Sequence, residues 1–115
     1  MESFKFLENK SFIKEFQVLD FFYTNTARYF KLKITFINKT VLFAREYVDA
    51  KERNYAYHWQ DNDNNLICRW DNAPHHEHLR TYPHHLHKNG QPLPLESKPV
   101  TLYSVLDTIE KEILS

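Results

Sequence analysis

Y-F-K-L-K-I-T-F-I-N-K-T-V-L-F-A-R-E-Y-V, residues 29–48, decides the fold. Phe30, Leu32, Ile34 and Phe36 alternate with Lys31, Lys33 and Thr35. A period of two is the spacing of a strand with one face buried and the other wet. Asn38-Lys39 breaks the run, and T-V-L-F-A-R-E-Y-V resumes it. The pattern predicts a hairpin that pairs residues near 29–37 with 40–48. Asn38 is expected at the left-handed turn position, which an Asn side chain tolerates.

Working outward, V-L-D-F-F-Y-T (18–24) reads as another strand, closed by the polar break Asn25-Thr26. Before it, residues 3–16 place Phe4, Leu7, Phe12 and Phe16 on one side with charges between, which predicts a short amphipathic helix with Ser3 as N-cap. Beyond the hairpin, D-A-K-E breaks the chain and N-Y-A-Y-H-W-Q-D alternates Tyr55, Tyr57 and Trp59 with Ala56, His58 and Gln60. N-D-N-N is a turn signal, and L-I-C-R-W-D (66–71) reads as the next strand. Residues 72–99 hold all five prolines and the one glycine, Gly90, and are expected to be a long loop. In T-L-Y-S-V-L-D-T-I-E-K-E-I-L, Leu102, Val105, Leu106, Ile109 and Ile113 keep helical spacing behind Thr101 as N-cap. The expected fold class is α+β. It is an antiparallel four- to five-stranded meander sheet with an N-terminal helix, a long Pro/His-rich loop and a C-terminal helix lying across one sheet face. Residues 1–115 read as a single domain.

Composition narrows the function. Hydrophobic residues make up 42% and aromatic residues 16%, enough for a folded core. One glycine excludes glycine-rich phosphate loops and dinucleotide fingerprints. Fifteen basic residues balance fifteen acidic ones, so any basic surface must be local. Cys68 is the single cysteine, which excludes an internal disulfide and, in its apolar strand, reads as a buried inert thiol. No apolar run approaches the ~18 residues of a membrane span, and M-E-S-F-K-F lacks a signal-peptide apolar region. A cytoplasmic protein is expected.

The candidate site is W-D-N-A-P-H-H-E-H-L-R-T-Y-P-H-H-L-H, residues 70–87, which holds six of the seven histidines. Imidazole titrates near neutral pH and is the commonest metal ligand. Adjacent histidines in an extended chain point to opposite sides, so each H-H pair offers one ring to a common point. Two readings stand side by side. In the favoured one there is no cofactor: His75, His76, His84, His85 and His87 supply acid and base, Arg69 and Arg45 hold a phosphate, and Asp71 orients a histidine. In the alternative, His76, His85 and His87 bind zinc. Tyr55, Tyr57, Trp59, Trp70 and Tyr82 could stack unpaired bases, although the same alternation fits packing against a core. His58 reads as a hydrogen-bonded packing residue.

The segments A-R-E-Y-V, Y-A-Y-H-W-Q-D, L-I-C-R-W-D-N-A-P-H-H and T-Y-P-H-H-L-H, followed by a T-L-x-x-V-L helix, resemble the TumE family of toxins from toxin–antitoxin systems. The resemblance runs from Ile34 to Ile113. It departs at Glu77-His78-Leu79 and at Leu86, where family members often carry Pro-Glu-Ile and Lys. It implies a small cytoplasmic type II toxin with a cognate helix-turn-helix antitoxin as partner, and it carries Arg45, Arg69, Asp71, Asn72, His75, His76, His84, His85 and His87 as site residues. The expected activity is that of a ribonuclease or another RNA-directed inhibitor of translation. RNA-contacting positions are Arg45, Tyr57, Trp70 and Tyr82. A non-catalytic partner- or metal-binding module and a metal-dependent nuclease are the other expectations. Exposed strand edges point to a homodimer or an antitoxin complex, and no membrane is involved.

Overall fold

A computed structural model describes residues 4–115. The predicted hairpin forms, β2 (Ala27–Phe36) pairing antiparallel with β3 (Val41–Asp49). Its turn differs in detail. Lys39, not Asn38, takes positive φ at 73°, while the Asn38 carboxamide oxygen accepts hydrogen bonds from Thr40 N and Oγ1 at 3.1 and 2.6 Å. The Asn side chain closes the turn instead of bending its backbone.

Around the hairpin lie β1 (Ile13–Tyr23), β4 (Arg53–Gln60), β5 (Leu66–Asp71), β6 (His85–Lys88) and β7 (Leu95–Glu96). Strand order follows chain order, and every pairing is antiparallel. The meander therefore has seven strands, not the expected four to five. Two of the additional strands lie inside the stretch expected to be a loop. They are only four and two residues long, too short to show a period, and pairing of β6 with β5 and of β7 with β6 makes them strands.

The expected N-terminal helix is absent among the described residues. Lys5–Asn9 form a single 3-10 turn, and residues from Ile13 onward already belong to β1. The proposed cap at Ser3 lies outside the described residues. The register of β1 slips between Ile13 and Glu15 and again between Val18 and Asp20. Each bulge inserts an unpaired residue and shifts the apolar positions out of period two, which is why this segment imitates a helix.

One sheet face is apolar. Leu32, Ala44, Tyr57, Trp70, Leu86 and Leu95 stand opposite one another across β2 to β7. The C-terminal helix α1 (Leu102–Leu114) covers this face with Leu102, Val105, Leu106 and Ile109, joined by Leu7 and Phe12. Thr101 caps it as expected. Its hydroxyl accepts the Ser104 N–H at 3.2 Å while the Ser104 hydroxyl accepts the Thr101 N–H at 2.9 Å. Tyr57 Oη and Arg53 both donate to Glu46, and Arg53 also reaches the Val100 carbonyl at 2.6 Å, tying the helix entry to the sheet. Cys68 is buried here as a free thiol, and desolvation pushes its pKa up to about 11. No described helix is long and apolar enough to cross a membrane.

Candidate functional site

The alternate residues of the same strands build the opposite face, which no helix covers. Lys31, Arg45, Ala56, Asp71 and His85 form one row across β2 to β6, and Lys33, Phe43, His58, Arg69 and His87 form the next. Arg45 on β3 and Arg69 on β5 are not on neighbouring strands. Ala56 of β4 lies between them, and its single methyl leaves a groove of about 370 Å³ that both line, together with Tyr29, Tyr47, Asn54, Asp71 and Pro74. An adjoining hollow of about 270 Å³ continues past Lys31, Phe43 and His58. Arg45 is exposed and, among the described residues, in no salt bridge.

At one end of this groove Asp71 is the organising group. Only 6% of it is exposed. Its Oδ1 lies 2.9 Å from His85 Nε2 and accepts the Ala73 N–H at 3.0 Å, while Oδ2 accepts Arg69 Nε at 3.1 Å. His85 is 2% exposed, and its Nδ1 lies 2.9 Å from the Pro83 carbonyl oxygen, which follows the cis Tyr82–Pro83 peptide. Both ring nitrogens thus face oxygen acceptors. Arg69 also donates to His58 Nδ1 at 3.3 Å, and burial followed by this guanidinium holds His58 below the ordinary imidazole range.

His76, from the loop, and His87, from β6, complete the cluster around His85. Their ring centres lie 4.6 and 5.0 Å from that of His85 and 5.6 Å from each other. Desolvation, then the charge on His85, lowers the pKa of both. A nitrogen from each of the three rings lies within 4.8 Å of the other two. These are the three histidines considered for zinc from the sequence.

The other expected site residues separate. His84 points away from its neighbour His85, as alternation requires. Its Nδ1 pairs with Tyr55 Oη at 2.7 Å and its ring stacks on Tyr55. His75 is exposed beside His76. Tyr82 is 40% exposed. Tyr57 and Trp70 were expected to stack bases. They are 0% and 6% exposed and lie in the core on the far face, so neither ring is open to a ligand. Alternation divides a strand into two faces but does not say which is wet. Asn72 holds structure: its side chain accepts the Tyr55 N–H at 2.9 Å and donates to the Arg53 carbonyl at 2.6 Å. Sequence reasoning missed Lys31, Tyr29, Tyr47 and Phe43 as groove residues. Their signal was present in their phase, since all alternate with core positions in the hairpin.

Chemically, the face offers fixed cations beside aromatic rings, ending at a carboxylate–imidazole cluster. A family description, Toxin TumE, matches residues 3–115. No curated protein and no solved structure matches the chain.

Proposed function

The chain belongs to the TumE toxin family, and from that premise we propose that it is a type II toxin acting on RNA through the open face of its sheet. An antitoxin partner follows from the family, and we take it to be a helix-turn-helix protein. The observation that carries the RNA reading is the groove itself. Grooves for single-stranded nucleic acid combine cations that track phosphates with rings on which bases stack. Arg45, Arg69 and Lys31 supply the first, and Tyr29, Tyr47 and Phe43 the second. A chain whose net charge is zero reaches this by placing Lys31, Lys33, Arg45 and Arg69 together on one face.

In this reading Arg45 and Arg69 hold a phosphodiester, and the reacting groups are Asp71, His76, His85 and His87. Arg69 is shared, because its Nε steadies Asp71 while its NH1 lies near His58. Cleavage of single-stranded RNA by the purified protein tests the proposal, with Arg69→Ala and His76→Ala as comparisons. Turnover that falls at least ~100-fold in both supports it. Unchanged cleavage in both, or no cleavage by the wild type under conditions in which its expression arrests growth, contradicts it. Chelator sensitivity separates imidazoles acting alone from imidazoles holding an ion.

A further inference from the structure

We infer that His76, His85 and His87 form a binding site for one divalent transition-metal ion of the zinc class. The inference stands on the geometry of the cluster and does not depend on RNA being the target.

Three nitrogens no more than 4.8 Å apart fit within a circle of about 2.8 Å radius, while a Zn–N bond measures about 2.0–2.1 Å. Each ring needs to move inward by less than about 1 Å, and two of the three have room to do so. His76 sits on a loop, and His76 and His87 are both half-buried, whereas His85 is locked. The rings meet edge to face, with interplanar angles of 80°, 68° and 89°. The faces are therefore not stacked, and one nitrogen of each ring lies within 4.8 Å of the other two.

His85 already has the outer hydrogen bond that metal-bound histidines use. Its Nδ1–H donates to the Pro83 carbonyl, which fixes the tautomer and leaves the Nε2 lone pair for an ion. Asp71 Oδ1 lies 2.9 Å from that Nε2, so the carboxylate borders the three-histidine set at His85. Arg69 on Oδ2 orients the carboxylate from behind. Two of the imidazoles come from one strand as His85-x-His87, which puts both on the same face, and the third arrives from a proline-flanked loop. Three imidazoles suit zinc, nickel, cobalt or copper, and not magnesium or calcium, which require mainly oxygen ligands.

The test uses the full chain, purified without an affinity tag and stripped with chelator. Calorimetric titration with Zn²⁺ is expected to show one tight site per chain, and Co²⁺ is expected to give the visible bands of a four- or five-coordinate nitrogen/oxygen set. Zn²⁺ should also raise the melting temperature, with reversal by EDTA. His76→Gln, on the loop, is expected to weaken Zn²⁺ binding by more than ~100-fold, beyond the ~10–100-fold typical of outer-sphere changes. His78→Gln removes an exposed histidine outside the cluster and should bind as the wild type does. The inference is overturned by the absence of saturable binding in the folded wild type, or by equal binding in His76→Gln. Tight Zn²⁺ binding by a protein that leaves RNA intact would overturn the RNA proposal and leave this site standing.

Discussion

The two faces of the sheet are made by the same strands, one residue out of phase, and they solve opposite problems. On the helix face every row is filled: Leu32, Ala44, Tyr57, Trp70 and Leu86 pack under α1, and the Tyr57 hydroxyl among them donates to Glu46. On the open face the corresponding row is Lys31, Arg45, Ala56, Asp71 and His85, where a small residue leaves a groove and cations crowd its walls. Like charges gathered on one surface disfavour folding, so they stand there for a reason other than stability. The closed face holds the molecule together, and the open face is the one we propose for RNA.

That contrast breaks most visibly in the core. Leu32→Ala, at a fully buried position, is expected to cost about 3–4 kcal/mol in urea unfolding by the lost transfer energy and the cavity left behind. Asp71→Ala follows at about 2 kcal/mol. Breaking a fully buried charge pair costs more, but the Arg69 side chain is 36% exposed and regains water. A change below ~0.5 kcal/mol at Asp71 would mean that the carboxylate organises nothing. Glu46→Gln, which weakens the acceptor shared by Tyr57 and Arg53, is expected to cost about 1 kcal/mol by the same measurement.

A smaller effect appears with pH. Burial and Arg69 hold the folded-state pKa of His58 below its ordinary value, so on acidification the unfolded chain takes up this proton before the folded one does. Its contribution is therefore full above pH ~6.5 and is lost as pH falls from there towards the folded pKa. Melting temperatures recorded between pH 7 and pH 5 should fall, and should fall less steeply in His58→Gln. An identical slope in the variant would show that His58 titrates alike in both states.

How much of this could be read from residues alone depends on the length and regularity of each element. The β2–β3 hairpin was readable because Phe30 to Phe36 alternate without interruption, and α1 because five apolar residues follow a capping threonine. β1 was readable only from Val18 onward; its first half fell into the pattern read as a helix, where a bulge between Ile13 and Glu15 breaks the phase. β6 and β7 were hidden by their shortness, and with them the fact that matters most for the site. Arg69 faces His87 and Asp71 faces His85 through β5–β6 pairing, a register no local pattern reveals. The sequence did foretell that only one ring of each H-H pair would join the cluster. His85 and His76 are in it, while His84 and His75 are not.

The smallest expected change in stability belongs to Arg45→Ala, within ~0.5 kcal/mol of the wild type, because this exposed side chain forms no salt bridge among the described residues. The same variant therefore isolates the role of the open face. The decisive measurement is binding of single-stranded RNA to wild type and Arg45→Ala, matched for melting temperature, across a range of salt. Affinity at low salt should drop about tenfold or more in the variant, and the slope against log salt should shrink by about 0.7, one phosphate contact on a single strand. Equal affinity and equal slope in the two folded proteins would contradict the assignment of the open face to RNA.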